Sequence, residues 1–161
     1  MVQDVVRTLG YLMLGTRMKR IGERLQASTQ KVIDGFEVPV QAGQWPFLAA
    51  LDTLGAVTVG ELAEAIGITQ PGATRTVAQL VRQGLVNVEQ AAHDQRQRIV
   101  SLSKEGRRLV AAAKLDIWPS VSDAVADLCD PLDGPLLQQL AALEDGLAAI
   151  PLNRRTRRKK R

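Results

Sequence analysis

Side chains that can contact a base recur along residues 70–83, with sequence QPGATRTVAQLVRQ. The candidate contact residues in this stretch are Gln70, Pro71, Thr74, Arg75 and Gln79. Apolar residues alternate with them at spacings of three and four, which predicts an α-helix with one inward face. That inward set is Ala73, Val77 and Leu80, with Val81 beside them. Glutamine and threonine can hydrogen-bond base edges, and arginine can contact guanine or phosphate, so the pattern favours a helix that lies in the major groove of DNA.

A second, shorter helix is predicted directly before this one, from Thr58 to Gly67. Thr58 and Glu61 have the spacing of a capping box, in which a hydroxyl and a carboxylate satisfy the first backbone N–H groups of a helix. Gly67 suits the left-handed conformation that ends a helix, and Thr69 can cap the next one. Two short helices joined by a few residues form the helix-turn-helix arrangement, whose second helix enters the major groove.

A polar loop between two short strands is predicted after the helices. The strands are expected over 85–89 and 98–102, where apolar residues alternate with polar ones. The alternating residues are Val86, Val88, Val100 and Leu102. The connecting sequence, EQAAHDQRQ, is too polar to be buried and too long for a tight turn, so we interpret it as a wing. Arg96 and Arg98 lie at its far side, and an arginine on such a loop suits the narrow minor groove.

The charge of the chain is unevenly distributed. The formal net charge is +4, yet residues 154–161, RRTRRKKR, carry seven positive charges and leave the rest of the chain at −3. Residues 69–108 are +4, and residues 109–153 are −6. A basic centre followed by an acidic segment favours a localised surface for a polyanion. The basic tail can either add affinity for phosphates that does not depend on sequence or serve localisation.

Amphipathic segments flank the central region. Residues 2 to about 34 are predicted to form one helix, whose broad apolar face suits either a domain core or a dimer interface. Another helix is predicted over 44–54. A third is predicted from 103 to about 128, with a kink or a break near Trp118 because Pro119 interrupts its pattern.

Few residues are available for catalysis or for metal binding. Cys129 is the single cysteine and His93 the single histidine, so no internal disulfide and no zinc site are expected. We interpret Cys129 as a buried structural thiol in preference to a redox sensor. His93 and Asp94 are adjacent, but they fall in the polar loop without a nucleophile or a phosphate-binding loop nearby, which argues against an enzyme. Apolar runs stay short of the roughly 20 residues of a membrane span, so we expect a cytoplasmic protein without cofactors.

The stretch 58–106 resembles the MarR family of winged helix-turn-helix transcriptional regulators. The residues that carry the resemblance are TVGELAEAIGITQPGATRTVAQLVRQGLV and the wing motif DQRQRIVSLSKEG, which begins at Asp94. The match extends upstream through Gln44 and Trp45, whereas the flanking helices match in kind only.

The resemblance implies a homodimer whose first and last helices interlock and whose paired winged domains bind double-stranded DNA at an inverted-repeat operator. Members of the family usually repress transcription, and many release DNA when a small aromatic or anionic ligand binds. In that family the wing aspartate orients the wing arginine, which gives those roles to Asp94 and Arg96. Pro71 and Gly72 stand where the family often has polar side chains, which narrows the set of side chains able to read bases.

The predicted fold class is mainly α (α+β), a winged helix-turn-helix with long N- and C-terminal dimerisation helices. Four divisions are predicted: an N-terminal dimerisation helix and loop over 1–43, the DNA-binding region over 44–106, C-terminal dimerisation helices over 107–152, and a basic disordered tail over 153–161. The last of the C-terminal helices is predicted over 136–150. The tail is not part of the family pattern. The alternative is a winged-helix dimer that binds protein and no specific DNA. Such a module does not require the +4 patch of residues 69–108, and that patch favours DNA binding.

Overall fold

The computed structural model describes residues 2–90 and 98–155 of the 161-residue chain. The α-helices are α1 (Val5–Thr8), α2 (Leu14–Asp34), α3 (Trp45–Leu54), α4 (Val59–Ile66), α5 (Gln70–Arg82), α6 (Lys104–Leu115), α7 (Ile117–Cys129), α8 (Leu136–Ala149) and α9 (Leu152–Arg155). The strands are β1 (Val57–Thr58), β2 (Val86–Gln90) and β3 (Arg98–Leu102), and 3₁₀ turns span Gly10–Met13 and Ala42–Gln44. The mainly helical winged-helix fold expected from the sequence is confirmed. None of the helices in the described ranges is long and apolar enough to cross a membrane.

The strands form one antiparallel sheet in the order β1-β3-β2. Val86 faces Leu102 and Val88 faces Val100 across the β2–β3 pair, which confirms the predicted alternation. The first strand of the pair runs over Val86–Gln90, one residue later than expected. The strand β1 was not predicted, because two residues are too few to show an alternating pattern.

The core of the first compact unit, Met1–Val121, lies between the helices and one face of the sheet. Its fully buried side chains come from most of the surrounding elements. The largest are Ile33, Val40, Leu48, Leu62, Leu80, Val100 and Val110. The predicted inward face of α5 is confirmed for three residues, Ala73, Val77 and Leu80. Val81 was wrongly assigned to it and is 42% exposed, because each residue turns the helix by about 100° and moves Val81 off the buried face.

The N-terminal segment is not the single helix that the sequence predicts. The short α1 and the long α2 are separated by the 3₁₀ turn Gly10–Met13. Gly10 has φ +54°, a left-handed conformation that an α-helix cannot contain and that glycine adopts without steric cost. Arg20 of α2 reaches back to Asp4, with a 3.0 Å ion pair that lowers the pKa of Asp4. The spacing of apolar residues did not reveal the break at Gly10–Met13, because that spacing carries no information about the φ angle of a glycine.

The segment after the sheet divides into α6 and α7, as the position of Pro119 predicted. Proline has no N–H to donate, and its ring crowds the carbonyl four residues earlier, which here belongs to Leu115. The helix breaks at Asp116, with φ −124° and ψ −57°, two residues before the expected position at Trp118. The helix α6 itself is held closely against the residue that precedes β2, since a Cβ at Gly106 would overlap the carbonyl oxygen of Leu85.

The second compact unit, Ser122–Arg161, contains the end of α7 together with α8 and α9. The helix α8 covers most of the helix predicted over 136–150. Arg155 donates from Nε to the carbonyl oxygen of Ile150 at 2.6 Å, so α9 caps the end of α8 where the sequence predicted a disordered tail. Residues 156–161 of that tail lie outside the described residues. Cys129 is half-buried, so the expectation of a buried thiol is met only in part.

Candidate nucleic-acid interface

The helix-turn-helix is held by caps that the sequence predicts. Thr58 and Glu61 form a full capping box at the start of α4: the Glu61 N–H donates to Thr58 Oγ1 at 3.1 Å, and the Thr58 N–H donates to Glu61 Oε2 at 2.7 Å. Gly67 ends α4 in the left-handed conformation, with φ +76°. The Thr69 hydroxyl then accepts a hydrogen bond from the Gly72 N–H and starts α5. These local contacts set the angle at which α5 leaves the turn.

The capping box also perturbs one carboxyl group. The backbone N–H of Thr58 lowers the pKa of Glu61, and the Thr58 hydroxyl, which donates to the same oxygen at 2.8 Å, lowers it further. Glu61 is therefore held as a carboxylate whose charge favours the positive end of α4.

One open depression collects residues from four elements of the winged domain. Its volume is about 450 Å³, and it is lined by the end of β1, the start of α4, the start of α5 and the first residue of β3. It brings together Gln70, Thr74 and Arg98, which the sequence selected separately. The Thr74 hydroxyl donates to the carbonyl oxygen of Gln70 at 3.0 Å, which leaves the hydroxyl oxygen free to accept from a base or a sugar.

The other contact candidates on α5 do not line this depression. Pro71 and Arg75 are exposed. Gln79 lies nine residues after Gln70, on the opposite side of the helix at about 100° per residue. Its Oε1 accepts a hydrogen bond from Gln44 Nε2 at 3.4 Å, so Gln79 faces the loop that precedes α3.

Two of the candidate DNA-contact residues lie outside the described residues. Asp94 and Arg96 belong to residues 91–97, as does His93. Arg98 is the described wing cation, exposed at the start of β3 and paired in register with Gln90. The roles assigned to Asp94 and Arg96 stay predictions.

Gln44 and Trp45 were named from the sequence only as the upstream end of the family match, and their contacts in the structure were not predicted. Gln44 is 5% exposed and is bonded to glutamines far away in the chain, which no local pattern reveals. Trp45 is 8% exposed, and within the described ranges its indole Nε1 has no hydrogen-bond partner. Trp45 packs edge-on against Trp118, with ring centroids 6.3 Å apart.

A cation lies beside this tryptophan pair. Lys114 Nζ is 5.8 Å from the centroid of the Trp118 ring, and it forms an ion pair of 2.5 Å with Asp52. The pair of rings, the lysine and the unpaired indole N–H together offer apolar and polar contacts next to the winged domain. Within the described ranges, no group of three or more histidine, cysteine, aspartate or glutamate residues could hold a metal ion.

The region that carries these residues is similar in sequence to known proteins. Residues 37–97, which include the helix-turn-helix and the wing, match the sequence model of the MarR family. This part of the chain is therefore similar to the winged-helix regulators of the MarR family. An uncharacterized HTH-type transcriptional regulator of Mycobacterium leprae is 40% identical over 76 residues, which are 47% of this chain and 53% of the relative. The chain thus spans about half the length of the curated relatives it matches.

Solved structures of MarR-type regulators share the fold over most of the chain. The regulator MosR of M. tuberculosis in complex with DNA has a TM-score of 0.71 at 23% identity, over 86% of this chain and 98% of that one. A mutant of E. coli MarR complexed with operator DNA has a TM-score of 0.69 at 18% identity, over 92% and 99% of the two chains. At these identities the likeness establishes the winged-helix fold, and the family resemblance read from the sequence is confirmed.

Proposed function

We propose that the protein is a sequence-specific DNA-binding transcriptional regulator that acts in the cytoplasm and is not an enzyme. The observation that carries this proposal is the convergence of Gln70, Thr74 and Arg98 on one open depression. A base-reading helix and a wing cation there face the same side of the domain, which is how winged helices engage two neighbouring grooves. The solved MosR and E. coli MarR structures were obtained with DNA, which supports the same role for this chain.

We propose further that the active form is a homodimer on an inverted-repeat operator. The support is a set of large apolar side chains that are exposed near the N-terminus and along α8. Among them are Tyr11 at 93%, Leu12 at 77% and Leu137 at 80%. Exposed apolar surface of this extent is typical of protein interfaces, and a second copy of the chain would cover it. Sedimentation at micromolar concentration tests this proposal: a monomer that still bound the complete operator would contradict it.

We propose that binding represses transcription and that a small aromatic or anionic ligand releases the DNA. The tryptophan pair with Lys114 supports this idea, because aromatic rings and a cation match such a ligand. A thermal-shift screen of aromatic carboxylates, followed by a test of DNA release, would identify an effector. A compound that raised the melting temperature without changing DNA affinity would count against release.

The experiment that tests DNA binding is selection of bound duplexes from a random pool, followed by a gel-shift titration of the selected sequence. We expect an inverted repeat whose half-sites lie about one helical turn apart. A protein that enriched no sequence would favour the alternative function, a winged-helix dimer that binds protein.

A further inference from the structure

Glutamine side chains from different elements hold the loop between α2 and α3. Gln30 of α2 accepts at Oε1 a 2.7 Å hydrogen bond from the Ala42 N–H. From the other side, Gln83 at the end of α5 donates from Nε2 to the carbonyl oxygen of Pro39, also at 2.7 Å. Gln44, at the end of the loop, lies between them. We call Gln30, Gln44 and Gln83 the glutamine clamp.

Gln44 is the buried centre of the clamp. Its amide pairs with that of Gln83, with Nε2 of Gln44 3.2 Å from Oε1 of Gln83 and the reverse bond at 3.4 Å. Its Oε1 also accepts from the Gln41 N–H at 2.9 Å. A buried amide is costly unless its hydrogen bonds are made, so a side chain bonded on both its oxygen and its nitrogen holds a defined position.

The backbone that the clamp holds is itself strained. Glu37 in this loop has φ +52°, and among the described residues it is the non-glycine residue with a left-handed φ. Such a conformation persists only where the surrounding structure imposes it. The hydrogen bond that Gln30 accepts from Ala42 and the one that Gln83 donates to Pro39 hold the loop backbone and can impose it.

The clamp joins two elements with different tasks. On one side is α2, which packs against the 3₁₀ turn Ala42–Gln44 and belongs to the segment with exposed apolar side chains. On the other side is α5, which packs on α4 and β2 and carries the candidate base contacts. A path from the N-terminal helix to the reading helix therefore runs through hydrogen bonds of the clamp.

We propose that the glutamine clamp positions α5 relative to α2 and thereby determines the half-site spacing that the dimer accepts. This inference rests on the proposed function as a dimeric DNA-binding protein. If α2 contributes to the dimer interface, the distance between the two reading helices depends on how each α5 is held against its own α2. One base pair changes the half-site distance by about 3.4 Å, so a small shift of α5 alters the preferred spacing.

The test compares duplexes that carry the selected half-sites at the preferred spacing and at spacings one base pair shorter and longer. Gln44→Leu and Gln83→Leu disrupt the clamp. Gln26→Leu is the matched control, since Gln26 is an exposed glutamine on α2 outside the clamp. The parent and the control should bind the preferred spacing more tightly than the altered spacings. In the clamp variants the ratio of these affinities should be roughly fivefold smaller, because one or two hydrogen bonds are removed.

A second measurement separates positioning from simple stability. Binding to a duplex with a single half-site should stay within about twofold of the parent for Gln83→Leu, because the contacts of α5 with its own half-site are unchanged. A purely structural role would lower the melting temperature and all affinities together, and the ratio between spacings would not move. Gln83 is exposed, so we expect Gln83→Leu to fold. The Gln83 variant alone can therefore test the role of the clamp if Gln44→Leu does not fold.

The outcomes distinguish the inference from the function on which it rests. A parent protein that binds no duplex overturns the proposed function. A parent that binds with a defined spacing, shared unchanged by both clamp variants, overturns the role of the clamp and leaves the function standing. Relaxed spacing in the clamp variants with single-site binding intact supports the clamp.

Discussion

Arg75 and Arg98, both proposed contacts to DNA, lie at different places in the winged domain. Arg98 lies at the first position of β3, beside Gln70 and Thr74, whereas Arg75 is exposed farther along α5. A cation at the start of a wing strand is suited to backbone or minor-groove contacts, and an arginine on the reading helix can bind guanine. The two arginines should therefore differ in how strongly they affect sequence preference.

Replacement of Arg75 with alanine should weaken operator binding by about 1–3 kcal/mol, because a base or phosphate contact of α5 is removed. Gel-shift titration of the selected operator measures the loss. Lys19→Ala is the control: Lys19 pairs with Glu23 at 3.8 Å on an exposed face of α2, outside the basic residues 69–108. Equal affinities for the Arg75 variant and the parent would show that α5 docks in another way.

The free energy of unfolding should depend on pH through the carboxyl group of Glu61. Its pKa is lowered in the folded state from an ordinary value of 4.5, so its contribution to stability is complete above that value and is lost as the pH falls through the lower, folded-state pKa. Glu61→Gln removes this titration. The difference in unfolding free energy between parent and variant should shrink between about pH 6 and pH 3, in urea denaturations at each pH. A difference that stayed constant would mean that the charge of Glu61 contributes nothing.

The start of α4 depends on one hydroxyl group. Thr58→Ala removes the acceptor of the Glu61 N–H and should lower the free energy of unfolding by about 1 kcal/mol. Thr53→Ala is the control, because the Thr53 hydroxyl donates to the Ala49 carbonyl within α3 and caps nothing. Denaturation curves that shift equally for the two variants would argue against the capping box.

The close approach of α6 to Leu85 allows no side chain at Gly106. Alanine there would place a Cβ against the Leu85 carbonyl oxygen, which also accepts from the Ser103 N–H at 3.0 Å. We expect Gly106→Ala to cost about 1–3 kcal/mol of stability or more, since backbone must move. Gly60→Ala, a change in α4 with room for a Cβ, should be neutral or stabilising. Similar melting temperatures for both variants would contradict the close approach.

The elements that could be predicted from sequence are those determined by near neighbours. The caps at Thr58 and Thr69, the left-handed Gly67 and the break before Pro119 each depend on residues within about one helical turn. The β2–β3 pair was predictable because its apolar residues alternate.

Features that depend on distant residues were not predictable. Gln44 and Gln83 are 39 positions apart, and a glutamine in a polar stretch carries no sign of such a partner. The strand β1 exists because Val57 pairs with Val100, again across a long separation. The break at Gly10 was hidden because an apolar face continues on both sides of it.

The basic C-terminus determines the sign of the net charge of the whole chain. Deletion of residues 156–161 removes five positive charges and changes the formal net charge from +4 to −1. If the tail binds phosphates, the truncated protein should bind every duplex more weakly. The log–log slope of its affinity against salt concentration should also fall by about 0.9 for each phosphate that the tail neutralises in the full chain. Fluorescence anisotropy at several salt concentrations measures both quantities.

The preferred sequence of the truncated protein should match that of the full chain, because phosphate contacts do not distinguish bases. A truncation that left the salt slope unchanged would exclude a role of the tail in DNA binding. A truncation that altered the preferred sequence would require base contacts from the tail.

The glutamine clamp is built from groups that carry no charge. Amides do not titrate at any pH at which the domain is folded, and hydrogen bonds around the buried Gln44 are far less screened by salt than exposed ion pairs. Contacts between arginine and phosphate weaken steeply as salt rises. If the clamp sets the separation of the reading helices in a dimer, as proposed, the ionic conditions of the cell change how tightly this protein holds DNA and leave that separation the same.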